Sequence, residues 1–237
     1  MTHEEIVISP NPTLLLGGAE TKAAHAQLKE LLDLPELSTA PIVAADGGAR
    51  LALAAGVAPV AVIGDFDSLK NADRAQLDPD TLHQISEQDT TDFDKALRSI
   101  RAPVVLGVGF HGARFDHHLA AMSVLTRHPD RPCILIGPED VTCLCPPRIS
   151  LDLIPGDWLS LFPMGRVGGT SQGLQWPING LTFSPDTRIG TSNVVAQPKV
   201  DLTMDRAAML LILPRQALVP LLKALSPPAA RWPVRAK

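Results

Sequence analysis

Val62-Ile63-Gly64-Asp65-Phe66-Asp67-Ser68 is an apolar run that stops at a glycine and gives way to two carboxylates and a hydroxyl. An apolar run without polar alternation reads as a strand buried on both faces. Side chains alternate along an extended backbone, so Asp65 and Asp67 are expected on one side of the sheet edge. Two anions a few Å apart repel unless a cation or a shared proton intervenes. The surroundings offer oxygen donors and no cysteine, which suits Mg²⁺, an ion that usually takes one or two carboxylates together with substrate phosphates. Asp-x-Asp-Ser is equally a turn or helix-cap sequence. Taken alone, the stretch leaves both readings open.

Similar apolar runs at 13–16, 42–45, 104–108 and 134–136 flank the run at 60–63, and amphipathic stretches lie between them. Thr91 to Ile100 is one such stretch, with Phe93, Ala96, Leu97 and Ile100 at helical spacing and Thr91 and Asp94 in capping-box spacing. This alternation predicts an N-terminal α/β domain, a parallel sheet with helices on both faces and ligands beyond the strands' carboxyl ends. From about residue 141 the pattern changes to short β-type runs at 158–162, 181–183, 200–203 and 208–213, separated by Pro-Gly, Gly-Gly, Asn-Gly and Ser-Pro turns. That pattern predicts an antiparallel sandwich or barrel. The expected domains are therefore 1–140 and 141–225, followed by a loosely held Pro- and Ala-rich tail at 226–237.

The composition is that of a soluble globular protein: 45% apolar and 19% charged over 237 residues. A net charge of −4 gives no basic footprint, so nucleic acid is not an expected partner. The N-terminal residues lack a signal-peptide pattern, and no apolar run is long enough for a membrane span. Cys133, Cys143 and Cys145 are odd in number and lack metal-ligand spacing, which points to reduced thiols and a cytoplasmic location.

Four polar clusters each follow a predicted strand. Asp46-Gly47-Gly48 suits a tight turn where backbone approaches a ligand. Asp65 and Asp67 close the next strand. Gln88-Asp89-Thr90-Thr91-Asp92 leads into the helix at 91–100, where Asp92 also suits the helix dipole and an i,i+3 pair with Lys95. The fourth cluster, residues 107–117, contains a formal Gly107-x-Gly109-x-x-Gly112. It does not support a dinucleotide fold, because it comes late in the chain and no acid ends the following strand about 20 residues on. Arg114 at a predicted helix start makes sense opposite a bound anion such as a phosphate, with Asp116 holding it or meeting a ligand hydroxyl. His117 and His118 have no partner at triad or metal spacing and read as surface or capping residues. A P-loop, a G-x-S-x-G elbow and an H-E-x-x-H helix are all absent. What remains, acids, one arginine and Gly-rich turns at one sheet edge, suits Mg²⁺-nucleotide chemistry.

Taken in order, Asp46-Gly47-Gly48, Gly64 to Leu69, Gln88 to Leu97 and Gly112 to His117 resemble the motif series of the thiamine pyrophosphokinases. Gly173-Leu174-Gln175-Trp176-Pro177-Ile178 is similar to the family's Gly-Leu-x-Tyr-Pro-Leu segment, and Gly190-Thr191-Ser192-Asn193 to its Ser-Asn motif. The resemblance implies an N-terminal α/β domain, a C-terminal β-sandwich and a homodimer with active sites at the subunit interface. It implies transfer of pyrophosphate from Mg-ATP to the hydroxyl of thiamine, releasing AMP. By motif, Asp65, Asp67 and Asp92 are the catalytic residues and Mg²⁺ ligands. Asp46, Gly47, Thr91, Arg114 and Asp116 fall on the nucleotide side, and Gln88, Ser192 and Asn193 toward thiamine or the adenylate.

Two departures stand out. Ala113 replaces a glycine of the family's Gly-Gly-Arg turn, and Met209-Leu210-Leu211-Ile212 stands where animal members carry a thiamine-stacking tryptophan. Met209 and Trp176 are both candidates to replace it. Rival readings are a haloacid-dehalogenase-like phosphatase, which would carry Asp-x-Asp at its first strand, a pyrophosphokinase for a pterin alcohol, and a non-catalytic nucleotide or thiamine sensor.

Overall fold

β1 (Val7–Ile8), β2 (Thr13–Leu16), α1 (Lys22–Leu32), β3 (Ile42–Ala45), α2 (Ala49–Ala54) and β4 (Ala61–Gly64) open the chain in a computed structural model that describes residues 5–19, 21–112 and 114–234. α3 (Asn71–Arg74), β5 (Leu82–Gln84), α4 (Asp92–Arg98), β6 (Ile100–Arg101), β7 (Val105–Val108) and α5 (Phe115–Arg127) follow. Ala113 lies outside the described residues. Two compact units are formed, residues 1–124 and 125–237.

In the first unit β7, β2, β3, β4 and β5 lie side by side in that order, and every pairing is parallel. Every residue of β2, β3, β4 and β7 is buried, so both faces of the sheet are covered and no polar alternation survives. Thr21 caps α1 by accepting from Ala24 N–H at 3.0 Å, and Thr91 caps α4 by accepting from Asp94 N–H at 3.2 Å. Phe93, Ala96 and Leu97 form the buried face of α4, which packs on β3 and β4. Each of the two large side chains contributes about 1.5–3 kcal/mol. The helix stops at Arg98, and Ile100 instead opens β6, which pairs in parallel with β1.

The second unit contains β8 (Cys133–Ile136), β9 (Asp140–Leu144), β10 (Arg148–Asp152), β11 (Trp158–Pro163), β12 (Val167–Gln172), β13 (Thr182–Phe183), β14 (Gly190–Val194), β15 (Lys199–Met204), β16 (Met209–Pro214) and α6 (Leu218–Leu225). One antiparallel sheet runs β14-β11-β16-β9-β8 and the other β10-β15-β12-β13, giving the β-sandwich architecture. β8 was expected among the parallel strands. It pairs antiparallel with β9. A short apolar run reads alike in either kind of sheet.

All three cysteines are buried free thiols, and burial pushes their pKa values up, that of Cys143 to about 12. In the tail, Ala230 is buried and the Trp232 indole N–H donates to the Cys145 carbonyl at 2.9 Å. No helix among the described residues is long and apolar enough to cross a membrane.

Candidate active site

Every loop at the carboxyl edge of the parallel sheet contributes to one cleft of about 680 Å³, lined among others by Asp46, Asp65, Asp67, Gln88, Asp92 and Arg114. Chain direction diverges at β2 and β7, the switch point at which ligands bind in open α/β sheets. There Gly17 N–H donates to the Val108 carbonyl at 2.7 Å and Ala19 N–H to that of Gly109 at 3.0 Å. A Cβ on Gly17 would lie 2.6 Å from the Gly109 carbonyl oxygen, so this approach requires glycine.

The acids are placed by two strained turns. After β3 the chain enters a 3₁₀ turn, Asp46–Gly48, with Asp46 at φ 42°. After β4, Phe66 takes φ 67° and packs toward a core cluster of Ala44, Ala49, Val62, Leu69 and Leu77. The Arg74 guanidinium lies 5.4 Å from the Phe66 ring centroid. With Phe66 directed inward, Asp67 N–H donates to Asp65 Oδ1 at 3.2 Å. The strand therefore ends at Gly64, and a turn rather than the pleat brings Asp65 and Asp67 together. The turn and the acid site proposed from sequence are one structure.

Asp46, Asp65 and Asp67 each offer a carboxylate oxygen within 4.8 Å of the others. Ser68 donates both its hydroxyl and its N–H to Asp46 Oδ2, whereas Asp46 Oδ1 is buried and has no hydrogen-bond partner. Burial pushes the Asp46 carboxyl above its ordinary value, against the Ser68 bonds and with the nearby charges of Asp92 and Asp67 adding to the rise. A buried carboxylate oxygen without a donor, in a group made only of oxygen ligands, fits a hard divalent cation. Asp92 is joined to Asp65 by Lys95, whose ammonium lies 3.0 Å from both Asp65 Oδ2 and Asp92 Oδ1. Burial opposes the charge on Asp65, but bonds from Lys95, Asp67 N–H and Gln88 outweigh it and hold the carboxyl below its ordinary value.

Gly47 and Thr91 also line the cleft, Thr91 serving as the α4 cap. Arg114 lines it too, paired through Nε at 3.1 Å with Oδ1 of Asp116, and both residues are largely exposed. Gln88 donates to Asp65 Oδ2 at 3.1 Å.

Ser192 and Asn193 lie on β14 in the second unit. Ser192 has φ 58° and its N–H donates to Ser160 Oγ at 2.9 Å. Buried Asn193 accepts from Trp176 N–H at 3.2 Å and donates to the Trp176 carbonyl at 2.7 Å, so its amide clamps the Trp176 backbone. Met209 is 0% exposed and Leu210 equally enclosed, which removes both as covers for a ligand ring, whereas Trp176 is 55% exposed.

The sequence gives Lys95 only an i,i+3 pairing with Asp92, because the apolar positions Phe93, Ala96, Leu97 and Ile100 lie on the other face of the helix and mark nothing at 95. Nothing in the Gly64–Leu69 motif signals the role of Ser68, because its tie to Asp46 spans 22 residues.

The family profile described as thiamin pyrophosphokinase, catalytic domain, matches residues 36–135, and that described as thiamin pyrophosphokinase, vitamin B1 binding domain, matches residues 148–209. Thiamine pyrophosphokinase 1 of Arabidopsis thaliana is 28% identical over 169 residues, covering 62% of this chain and 62% of that protein. Thiamine pyrophosphokinase 1 of Oryza sativa subsp. japonica is 29% identical over 166 residues, covering 62% and 63%. The chain thus matches less than two thirds of the length of these curated relatives. The crystal structure of thiamin pyrophosphokinase from Geobacillus thermodenitrificans shares the fold, with a TM-score of 0.65 at 24% identity over 88% of this chain and 97% of that one. The two profiles together span well over half of the residues, one over the acid cleft and the other over the antiparallel sheets, and the chain belongs to the thiamine pyrophosphokinase family.

Proposed function

We propose that the protein transfers pyrophosphate from Mg-ATP to the hydroxyl of thiamine, giving thiamine diphosphate and AMP. The observation that carries this reading is the group Asp46, Asp65 and Asp67, with its one unbonded buried oxygen, in a cleft that also holds Arg114 and the Gly-rich turns. Asp65 and Asp67 hold the cation, with Asp92 and the free Oδ1 of Asp46 beside them. Bound Mg²⁺ supplies charge neutralisation on the phosphate oxygens. The chain itself keeps Asp65 ionised through Lys95, lets the Gly17 and Gly109 turns approach phosphate closely, and presents Arg114 to the nucleotide once it leaves Asp116. Gln88, Ser192 and Asn193 serve thiamine. The hydroxyl attacks the β-phosphorus in line, and a loose transition state asks little of a general base.

As the resemblance implies, the active form is a cytoplasmic homodimer with sites at the subunit interface. Phe115 and Leu119, one turn apart on α5 and 71% and 52% exposed, support such a contact. The test is to incubate protein, Mg-ATP and thiamine and to quantify products. Equimolar AMP and thiamine diphosphate are expected, and ADP with orthophosphate overturns the proposal. A pterin alcohol accepted in place of thiamine would shift the substrate assignment.

Trp176 is the one candidate for ring stacking left exposed. Trp176→Ala is expected to raise the thiamine KM about tenfold, the worth of one stacked aromatic pair, with the ATP KM unchanged. Met209→Ala should instead cost about 2–5 kcal/mol of stability, as for other buried methionines, and leave the thiamine KM alone. Steady-state kinetics with each substrate varied, together with denaturant unfolding, separate the two.

A further inference from the structure

α4 carries one cation into the acid site, and its place is unlike that of a surface lysine. Lys95 is 1% exposed, and its ammonium bonds two acids that stand on different elements, Asp65 after β4 and Asp92 in the first turn of α4. Removing an ammonium from water is expensive, and only close, well-directed partners offset it. A cation needed merely to relieve repulsion could do so from the surface at lower cost.

The bonding at Asp65 gives the burial a purpose. Each carboxylate oxygen has about two lone-pair sites. Oδ2 is occupied twice, by Lys95 at 3.0 Å and Gln88 at 3.1 Å, whereas among the described residues Oδ1 accepts only Asp67 N–H at 3.2 Å. The oxygen with a site to spare is therefore Oδ1, the one tied to the turn that carries Asp67.

We propose that Lys95 is a positioning residue for the metal site: it clamps Asp65 to Asp92 across β4 and α4, saturates Oδ2 with Gln88, and so leaves Oδ1 of Asp65 as the ligating oxygen. The inference rests on the metal-dependent reading above. It fixes a sign that simple electrostatics reverses. Removing a cation from a group of carboxylates should by itself tighten divalent-cation binding, whereas removing a clamp should weaken it.

The test titrates Mn²⁺ into the full chain and Lys95→Met without nucleotide or thiamine, reading free Mn²⁺ by electron paramagnetic resonance and folding by thermal unfolding. A folded Lys95→Met is expected to bind Mn²⁺ about tenfold more weakly or worse, the usual effect of losing a residue that orients a metal ligand. Unchanged or tighter binding overturns the inference. Should Lys95→Met fail to fold, Lys95→Arg keeps the charge and changes its reach, and is expected to weaken binding about threefold or more. Wild-type affinity in that variant overturns the inference equally. Product formation is assayed separately. A wild-type chain that makes thiamine diphosphate while the variant binds Mn²⁺ normally sinks the clamp alone. One that binds Mn²⁺ but makes no thiamine diphosphate sinks the functional reading, and absence of Mn²⁺ binding sinks both.

Discussion

Asp65→Asn is expected to leave a folded protein whose thiamine diphosphate formation falls by about a thousandfold or more, about 4 kcal/mol of transition-state stabilisation, on the scale of what a catalytic metal supplies. The substitution is nearly isosteric. The introduced amide oxygen can still accept the Asp67 N–H, so the turn at Phe66 survives. What is lost is the charge. Lys95 keeps Asp92 as its partner, so the buried ammonium is not abandoned, and the cost to stability should stay near about 1–3 kcal/mol, that of one weakened charged hydrogen bond. The comparison is kcat/KM against Mg²⁺ concentration, with unfolding followed in parallel. A variant that retains more than about a tenth of wild-type kcat/KM, less than about 1.4 kcal/mol lost, rules Asp65 out as the main cation ligand.

The pH dependence of this carboxyl follows the same bonds. Its pKa is lowered in the folded state, so its contribution to stability is present above the unfolded carboxylate value and is lost as pH falls through the lowered one. Asp46 runs the other way. Its pKa is raised chiefly by burial, so its charge opposes folding at neutral pH, and protonation as pH falls through the raised value relieves that cost.

Most of the parallel sheet was legible because β2, β3, β4 and β7 are short, almost wholly apolar and punctuated by acids and glycines. The runs at 13–16 and 42–45 match β2 and β3, and 60–63 is shifted by one residue from β4. What escaped has physical reasons. β5 is a partly exposed edge strand of three residues, Leu82-His83-Gln84, too short and too polar to show a period. β12 carries Gly168 and Gly169, which read as turn residues. A Cβ at Gly169 would lie 2.2 Å from the Thr203 carbonyl oxygen, so here glycine permits close strand approach. α6 follows Pro214 and contains Pro220 in its first turn, where proline is tolerated.

In the site, the clusters were found but their assembly was not. Asp46, Phe66 and Ser192 are the non-glycine residues with positive φ among those described, and each lies within a motif picked out from sequence. Composition does not reveal that a phenylalanine will adopt a left-handed conformation, because the core cluster beneath it, spread over residues 44–82, supplies the reason. Nor does it reveal that Asp92 faces a lysine first and the acid group second, since that depends on how α4 packs against β4.

Gly64→Ala is expected to disable the site while leaving most of the fold intact, and the effect is steric. Gly64 does not have positive φ, so alanine can adopt its backbone conformation. The added Cβ, however, would lie 2.7 Å from Asp46 Cβ, 3.2 Å from Asp46 Cα and 3.3 Å from Asp92 Oδ1. Asp46 cannot simply rotate away, because the contact is at its root, its backbone already holds φ 42°, and its Oδ2 is tied to Ser68. The whole turn after β3 must shift, carrying the carboxylate out of the group it forms with Asp65 and Asp67. Overpacking of this kind costs about 1–3 kcal/mol of stability, whereas displacing a catalytic group by about 1 Å costs about a hundredfold in rate. Gly165→Ala, whose Cβ would meet Ala208 at an ordinary 3.6 Å, serves as the matched control and should behave as wild type. The decisive comparison is kcat at saturating Mg²⁺ and substrates against unfolding free energy. A Gly64→Ala protein that loses stability yet keeps its kcat would mean that Asp46 is a structural acid bonded to Ser68, and that its free Oδ1 plays no part in the chemistry.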